Sequence, residues 1–190
     1  VREDLGAESG APLVTIVGRI TDWKGHRYLV EAADRAANKA WHLAIVGSGN
    51  EGVIANLKAL VAERGLGSRI TIAGSRRDIP AIMAASDLVV STSTRPEAFG
   101  RVAIEAEVMG TPVIATAHGG SLETIIDGET GFLVPPANAD ALAEAIDAAL
   151  ADPSRLKAMG QAARAHVLAN FTVEMMLEKE FSAYEAVMSA

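Results

Sequence analysis

Apolar and polar residues fall in blocks along most of this chain rather than alternating one by one. Six short runs are nearly continuous in hydrophobicity and rich in Val, Ile and Leu: 13–17, 42–46, 69–73, 87–90, 112–115 and 131–134. Each is closed by a chain-turning or hydroxyl residue, namely Gly18, Gly47, Gly74, the Ser91-to-Thr94 cluster, Thr116 and the Pro135-Pro136 pair. Uninterrupted apolar runs of this length read as strands covered on both faces, as in a parallel sheet.

Helical periods separate them. Residues 26–39 carry Leu29, Val30, Ala33, Ala36 and Ala37, and 50–63 carry Val53, Ile54, Leu57, Leu60 and Val61. A short helix is predicted over 79–85, with Asp78 as its N-cap. Residues 101–109 are apolar on most sides, so that helix is expected to be buried, and 139–150 carry Leu142, Ile146 and Leu150. Two further helices, 153–168 with Pro153 at its favoured first position and 172–188, have no strand after them. Alternating strands and helices imply an α/β architecture, a doubly wound parallel sheet of six strands with extra carboxyl-terminal helices. The expected division is a loose lead-in over 1–11, the sheet domain over 12–170 and a terminal helix over 171–190.

Composition narrows the chemistry. A chain of 190 residues suits one domain. Its 36 alanines and 4% aromatic content call for a core of small side chains. The absence of cysteine removes disulfides, thiolate metal sites and a cysteine nucleophile. The four histidines, His26, His42, His118 and His166, are too scattered for metal ligation, so no metal is expected. A formal charge of −7 argues against a nucleic-acid partner. No apolar run approaches the length of a membrane span. The chain begins with Val1 rather than Met, which reads as a piece of a longer protein.

The unusual residues gather on loops after the strands, where open parallel sheets bind ligands. Arg19, Lys24, Arg76, Arg77, Arg95 and Arg101 would share one edge and make an anion site in an acidic protein. Arg19 and Lys24, between Gly18 and Gly25, offer the fork and the point charge suited to diphosphate oxygens. The Phe99-Gly100 turn opens a helix whose free amides form a second anion site. Glu97 lies in the preceding loop, and Glu105 about one turn into the helix, where ribose hydroxyls would satisfy it; Glu107 reads as ordinary surface. Gly47-Ser48-Gly49-Asn50-Glu51-Gly52 fits the GxGxxG dinucleotide pattern, so a dinucleotide (NAD) binding module is the alternative. The pattern follows the second strand, however, and lacks the acidic residue expected at the end of the next.

Five ordered segments resemble the carboxyl-terminal half of glycosyltransferase family 4. They are Val17 to Gly25; Arg95-Pro96-Glu97-Ala98-Phe99-Gly100 through Glu105-Ala106; Gly110 to Ala115; Gly119-Gly120 with Glu123; and Asp127-Gly128 through Pro136. The resemblance runs from about residue 12 to the end. It implies one Rossmann-like half of a GT-B fold and a retaining, metal-independent enzyme that needs no cofactor beyond its nucleotide-diphosphate-sugar donor, with UDP, GDP and ADP all open. Arg19 and Lys24, with the neighbouring Gly18, would hold the diphosphate, as would Gly100 and the amides beside it at the Phe99-Gly100 turn. Glu105 would take ribose hydroxyls, and Glu97 those of the transferred sugar. The Ser75-Arg76-Arg77 loop would meet the base through backbone atoms, and Gly119 and Gly120 would close over phosphate and sugar. Arg19, Lys24 and Glu97 are thus the candidate catalytic residues. Leu122 stands where the family has Pro before the Glu of the Gly-Gly loop.

The resemblance also implies a missing amino-terminal acceptor domain, to which the terminal helix would cross back with Met175, Met176, Phe181 and Tyr184 on its apolar face. The chain alone is expected to bind donor without turnover. A homodimer of the fragment and a peripheral membrane association of the full enzyme are further partner expectations, and the expected location is the cytoplasm, including the inner face of the membrane.

Overall fold

Six parallel strands form one sheet: β1 (Leu13–Val17), β2 (His42–Val46), β3 (Ile70–Gly74), β4 (Leu88–Ser91), β5 (Val113–Thr116) and β6 (Gly131–Val134), in the order β3-β2-β1-β4-β5-β6. The structure is a computed structural model and describes residues 1–188. Helices α1 (His26–Arg35), α2 (Glu51–Glu63), α3 (Ile79–Ala85), α4 (Arg101–Val108), α5 (Ser121–Thr124) and α6 (Ala139–Ala151) follow the strands in turn; α7 (Pro153–Asn170) and α8 (Val173–Met188) extend the chain. This is the doubly wound sheet expected from the blocks of apolar sequence, with strand edges within a residue of their predicted positions. The order reverses between β1 and β4, so the loops leaving their carboxyl ends part and open a crevice.

The sheet is buried on both faces, which is why its strands carry no alternation. On one face, Leu29 and Val30 of α1, Leu57 and Val61 of α2, and Leu142 and Ile146 of α6 pack with Val14, Ile16, Leu43 and Ile45. The other face holds Met83 of α3 and Ala103 and Ala106 of α4 against Val89, Val113 and Ala115. The small side chains serve close approach. A Cβ on Gly160 of α7 would lie 2.0 Å from the Gly110 carbonyl at the end of α4, a distance that only glycine permits.

Several local expectations are corrected. Residues 1–11 are packed rather than loose: Glu3–Leu5 form a 3₁₀ turn, Leu5 is fully buried, and Arg2 donates to the carbonyls of Ala85 and Ala11 and to Asp87. α1 stops at Arg35 because the Asp147 carboxylate captures the amides of Ala37 and Asn38 at 2.6 and 3.1 Å. Asp78 does not cap α3; its carboxylate is held two-pronged by Arg76, at 2.8 and 2.7 Å. α4 is half-exposed, with only Ala103, Ala106 and Glu107 buried. Glu107 is therefore the reverse of a surface residue: it follows Ala103 by four positions, shares its face and is 0% exposed. Glu105, on another side of the helix, is open to solvent. α8 buries none of its described side chains, and Met176, Leu177, Phe181 and Tyr184 are exposed. The last two residues of the 171–190 segment lie outside the described residues.

Candidate functional site

The crevice is shaped by backbone that only glycine can follow. Beyond β1, the Gly18 carbonyl occupies the space that a Cβ on Gly47 would need, at 1.8 Å, and the Ile20 carbonyl does the same to Gly49 at 2.0 Å. Both leading glycines of the GxGxxG segment are thus accounted for by packing of the β2 loop against the β1 loop. The chain then turns through Asp22–Lys24 as a 3₁₀ turn and enters α1 at Gly25, whose φ is 75°. A side chain there would meet the Thr92 carbonyl at 1.9 Å. Across the crevice, the β4 loop is stitched to this turn. Thr92 Oγ1 donates to the Lys24 carbonyl at 3.0 Å, and the Thr94 amide and hydroxyl donate to the Trp23 carbonyl at 2.7 and 3.1 Å.

Lys24 and Glu97 meet in the crevice: Nζ lies 2.7 Å from Oε2, with both side chains at a fifth of full exposure or less. Nζ also sits over the Trp23 ring, 4.7 Å from its centroid. The other carboxylate oxygen of Glu97 accepts from the Ser93 hydroxyl. Beneath them runs the Gly-Gly loop. Gly119 has φ 58° and lies so close that a Cβ would be 2.4 Å from the Glu97 carbonyl; on Gly120 it would be 2.5 Å from that of Phe99. The Gly120 amide donates to the Glu97 carbonyl at 2.9 Å. α4 then starts at Gly100, φ 76°, with no side-chain cap and no heavy atom closer to a Cβ there than 4.0 Å. Its first-turn amides point to an open site suited to an anion.

Of the residues singled out from sequence, Gly18, Lys24, Glu97, Phe99, Gly100, Gly119 and Gly120 converge here. Arg19, Arg77, Arg95 and Arg101 are exposed and enter no ion pair among the described residues. Arg76 stands apart, past β3 and committed to Asp78. Phe99 is 43% exposed and meets the ring of Phe171, at the α7–α8 junction, edge-on at 5.8 Å. A cleft of about 510 Å³ lies to one side of it, between α1 and α2. Among the described residues no group of His, Asp or Glu is arranged to hold a metal ion, and no helix is long and apolar enough to cross a membrane.

Sequence reasoning passed over two residues of the site. Ser93, 2% exposed, holds Glu97 and accepts at its carbonyl from Thr116 Oγ1 and His118 Nε2, each at 2.8 Å. The Ser/Thr cluster after β4 was the available signal, but hydroxyl residues there look like any strand end. His26, just past Lys24, is 3% exposed. Burial pushes its pKa down to about 4, with the Lys24 charge adding to the fall and the Thr21 backbone opposing it.

Residues 1–166 match the family model described as glycosyl transferases group 1. Among curated relatives, the D-inositol 3-phosphate glycosyltransferase of Nocardia farcinica is 36% identical over 196 residues, covering 98% of this chain and 43% of that protein. The crystal structure of Anabaena HepE in complex with UDP and glucose superposes with a TM-score of 0.90 at 31% identity, covering 97% of this chain and 51% of that one. The carboxyl-terminal domain of a group 1 glycosyl transferase from Francisella tularensis superposes with a TM-score of 0.76 at 27% identity, covering 85% of this chain and 87% of that one. The chain thus spans about half the length of the curated relatives it matches.

Proposed function

This chain belongs to the group 1 glycosyltransferases, and from that footing we propose that it is the donor-binding half of a retaining, metal-independent family 4 enzyme. The observation that carries the reading is the Lys24–Glu97 pair in the switch-point crevice beside the uncapped start of α4. A nucleoside diphosphate placed there would compete for Lys24, since the diphosphate carries more negative charge than a single carboxylate. Arg19, exposed beside Gly18, closes on the same oxygens, and the α4 amides add their dipole. Stabilising the departing diphosphate this way is an electrostatic task. Lys24's departure frees one oxygen of Glu97 for a hydroxyl of the transferred sugar. Glu105, exposed farther along α4, would take ribose hydroxyls. UDP and glucose in the Anabaena relative support a nucleotide-sugar donor.

Residues 12–170 would be the donor domain and 1–11 the approach from an acceptor domain. The exposed apolar face of α8 would cover that domain on the way back. The acceptor site would lie on the absent half, so this chain binds donor without transferring it. Calorimetry with UDP, GDP, ADP and their sugars tests the reading: one base should bind in the micromolar range or tighter, and a folded chain that binds none of them would sink it.

A further inference from the structure

Three side chains converge on Ser93. Its hydroxyl donates to Oε1 of Glu97, whose Oε2 faces Lys24 at 2.7 Å. Its carbonyl accepts from Thr116 Oγ1 at the end of β5 and from His118 Nε2 at the start of the Gly-Gly loop, each at 2.8 Å. The backbone under the hydroxyl is therefore anchored from two sides, and the residue is 2% exposed, so it has little freedom to move. A carboxylate tied at one oxygen has its plane set before any ligand arrives.

We propose that Ser93 is a positioning residue for recognition of the transferred sugar. It holds Glu97 so that the oxygen released when a diphosphate draws Lys24 away is already aimed at a sugar hydroxyl. The inference rests on reading Glu97 as the acceptor of that hydroxyl. Without Ser93 the freed carboxylate turns about its terminal torsion, and the sugar must bear the ordering that Ser93 otherwise supplies in advance. Ser93 contributes nothing to the diphosphate subsite, which is made by Arg19, Lys24 and the α4 amides. Its loss is felt only by ligands that carry a sugar, whereas a merely structural role would weaken nucleotide and nucleotide sugar alike.

Calorimetry on this chain with UDP and UDP-glucose, or the same pair for the base it prefers, separates these cases. The unmodified chain should bind the sugar nucleotide more tightly than the nucleotide; equal affinities would remove the sugar role of Glu97, and this proposal with it. Ser93→Ala should leave nucleotide affinity within about twofold and lower sugar-nucleotide affinity about five- to tenfold, the cost of ordering one side chain on binding. Ser93→Cys, close in size but a weaker donor, should fall between and serves if the alanine variant does not fold. In a Glu97→Gln background, Ser93→Ala should change sugar-nucleotide affinity by less than about twofold. Equal losses for both ligands, no loss for either, or an undiminished effect in the Glu97→Gln background overturns the proposal.

Discussion

Glu107 makes the chain's stability fall as pH rises, and the effect can be sized. Its carboxyl is fully buried in the face of α4 that packs on the sheet, and neither oxygen has a hydrogen-bond partner. Burial raises its pKa from 4.5 to about 8, because the ionised form has neither water nor a cation to stabilise it. The unfolded chain releases this proton near pH 4.5, the folded chain only near 8. The stability present below the lower value is therefore lost progressively as pH climbs through the interval, and the loss is complete above the upper one. Between pH 5 and pH 8 the two titration curves differ by roughly 3–4 kcal/mol, a large part of the total stability of a domain this size. Glu107→Gln keeps the shape and cannot ionise. Denaturant unfolding of both proteins at pH 5 and pH 8 should show the variant gaining about 3–4 kcal/mol over the parent on going to the higher pH. The absolute difference at pH 5 is immaterial, since the amide brings its own unpaired donors. A stability difference that is the same at both pH values would refute the reasoning.

Other consequences are as direct. Lys24→Ala should weaken nucleoside diphosphate binding about ten- to a hundredfold by calorimetry, the worth of a charge-assisted contact in a half-buried crevice, while Lys58→Ala on exposed α2 should not change it. Gly119→Ala places a methyl 2.4 Å from the Glu97 carbonyl at a φ of 58°, whereas Gly128→Ala, at φ 77°, meets nothing within 4 Å. Denaturant midpoints should show Gly128→Ala destabilised by about 1 kcal/mol from backbone strain and Gly119→Ala by more, about 2–4 kcal/mol. The His26 ring, with its pKa near 4, should show no protonation shift by NMR between pH 5.5 and 8. Because that pKa lies below the unfolded value of 6.5, the stability His26 contributes is present above 6.5 and is lost as pH falls toward 4.

The sheet was legible because burial on both faces leaves near-continuous apolar runs, and their shortness and closing glycines, hydroxyl residues and prolines mark them as strands rather than buried helices. The glycines and charged residues of the crevice were legible through their order along the chain. Glu105 and Glu107 were read the wrong way round in burial. They differ by two positions on α4, about 200° around the helix, so one faces the sheet and the other solvent, and a helix apolar on most sides does not show from sequence which side is which. Arg76 was counted with the crevice cations because sequence shows the charge and not the partner; Asp78, two residues on, takes it. Leu5 was missed because one leucine among polar residues carries no period, and its burial depends on Leu13, Ala44 and Ile82, far along the chain. Ser93 was missed for a related reason, since its partners come from positions 97, 116 and 118 and meet only once β4 and β5 lie side by side.

The Lys24–Glu97 pair bears on how an acidic chain keeps a cationic crevice ready. An unpaired ammonium in this half-buried position would lower the stability of the empty protein, as would an unpaired carboxylate beside it. Pairing them removes both penalties while leaving each group within reach of a ligand. On the proposed reading, the exchange on binding would be selective. An inorganic anion can draw off Lys24 but leaves Glu97 without a new donor. On the proposed reading, a sugar diphosphate would supply an acceptor to the lysine and a hydroxyl to the glutamate, so the broken pair would be replaced on both sides. Discrimination between diphosphate and sugar diphosphate would then follow from the pair itself, with the proposed role of Ser93 setting how much of it survives once Lys24 has moved.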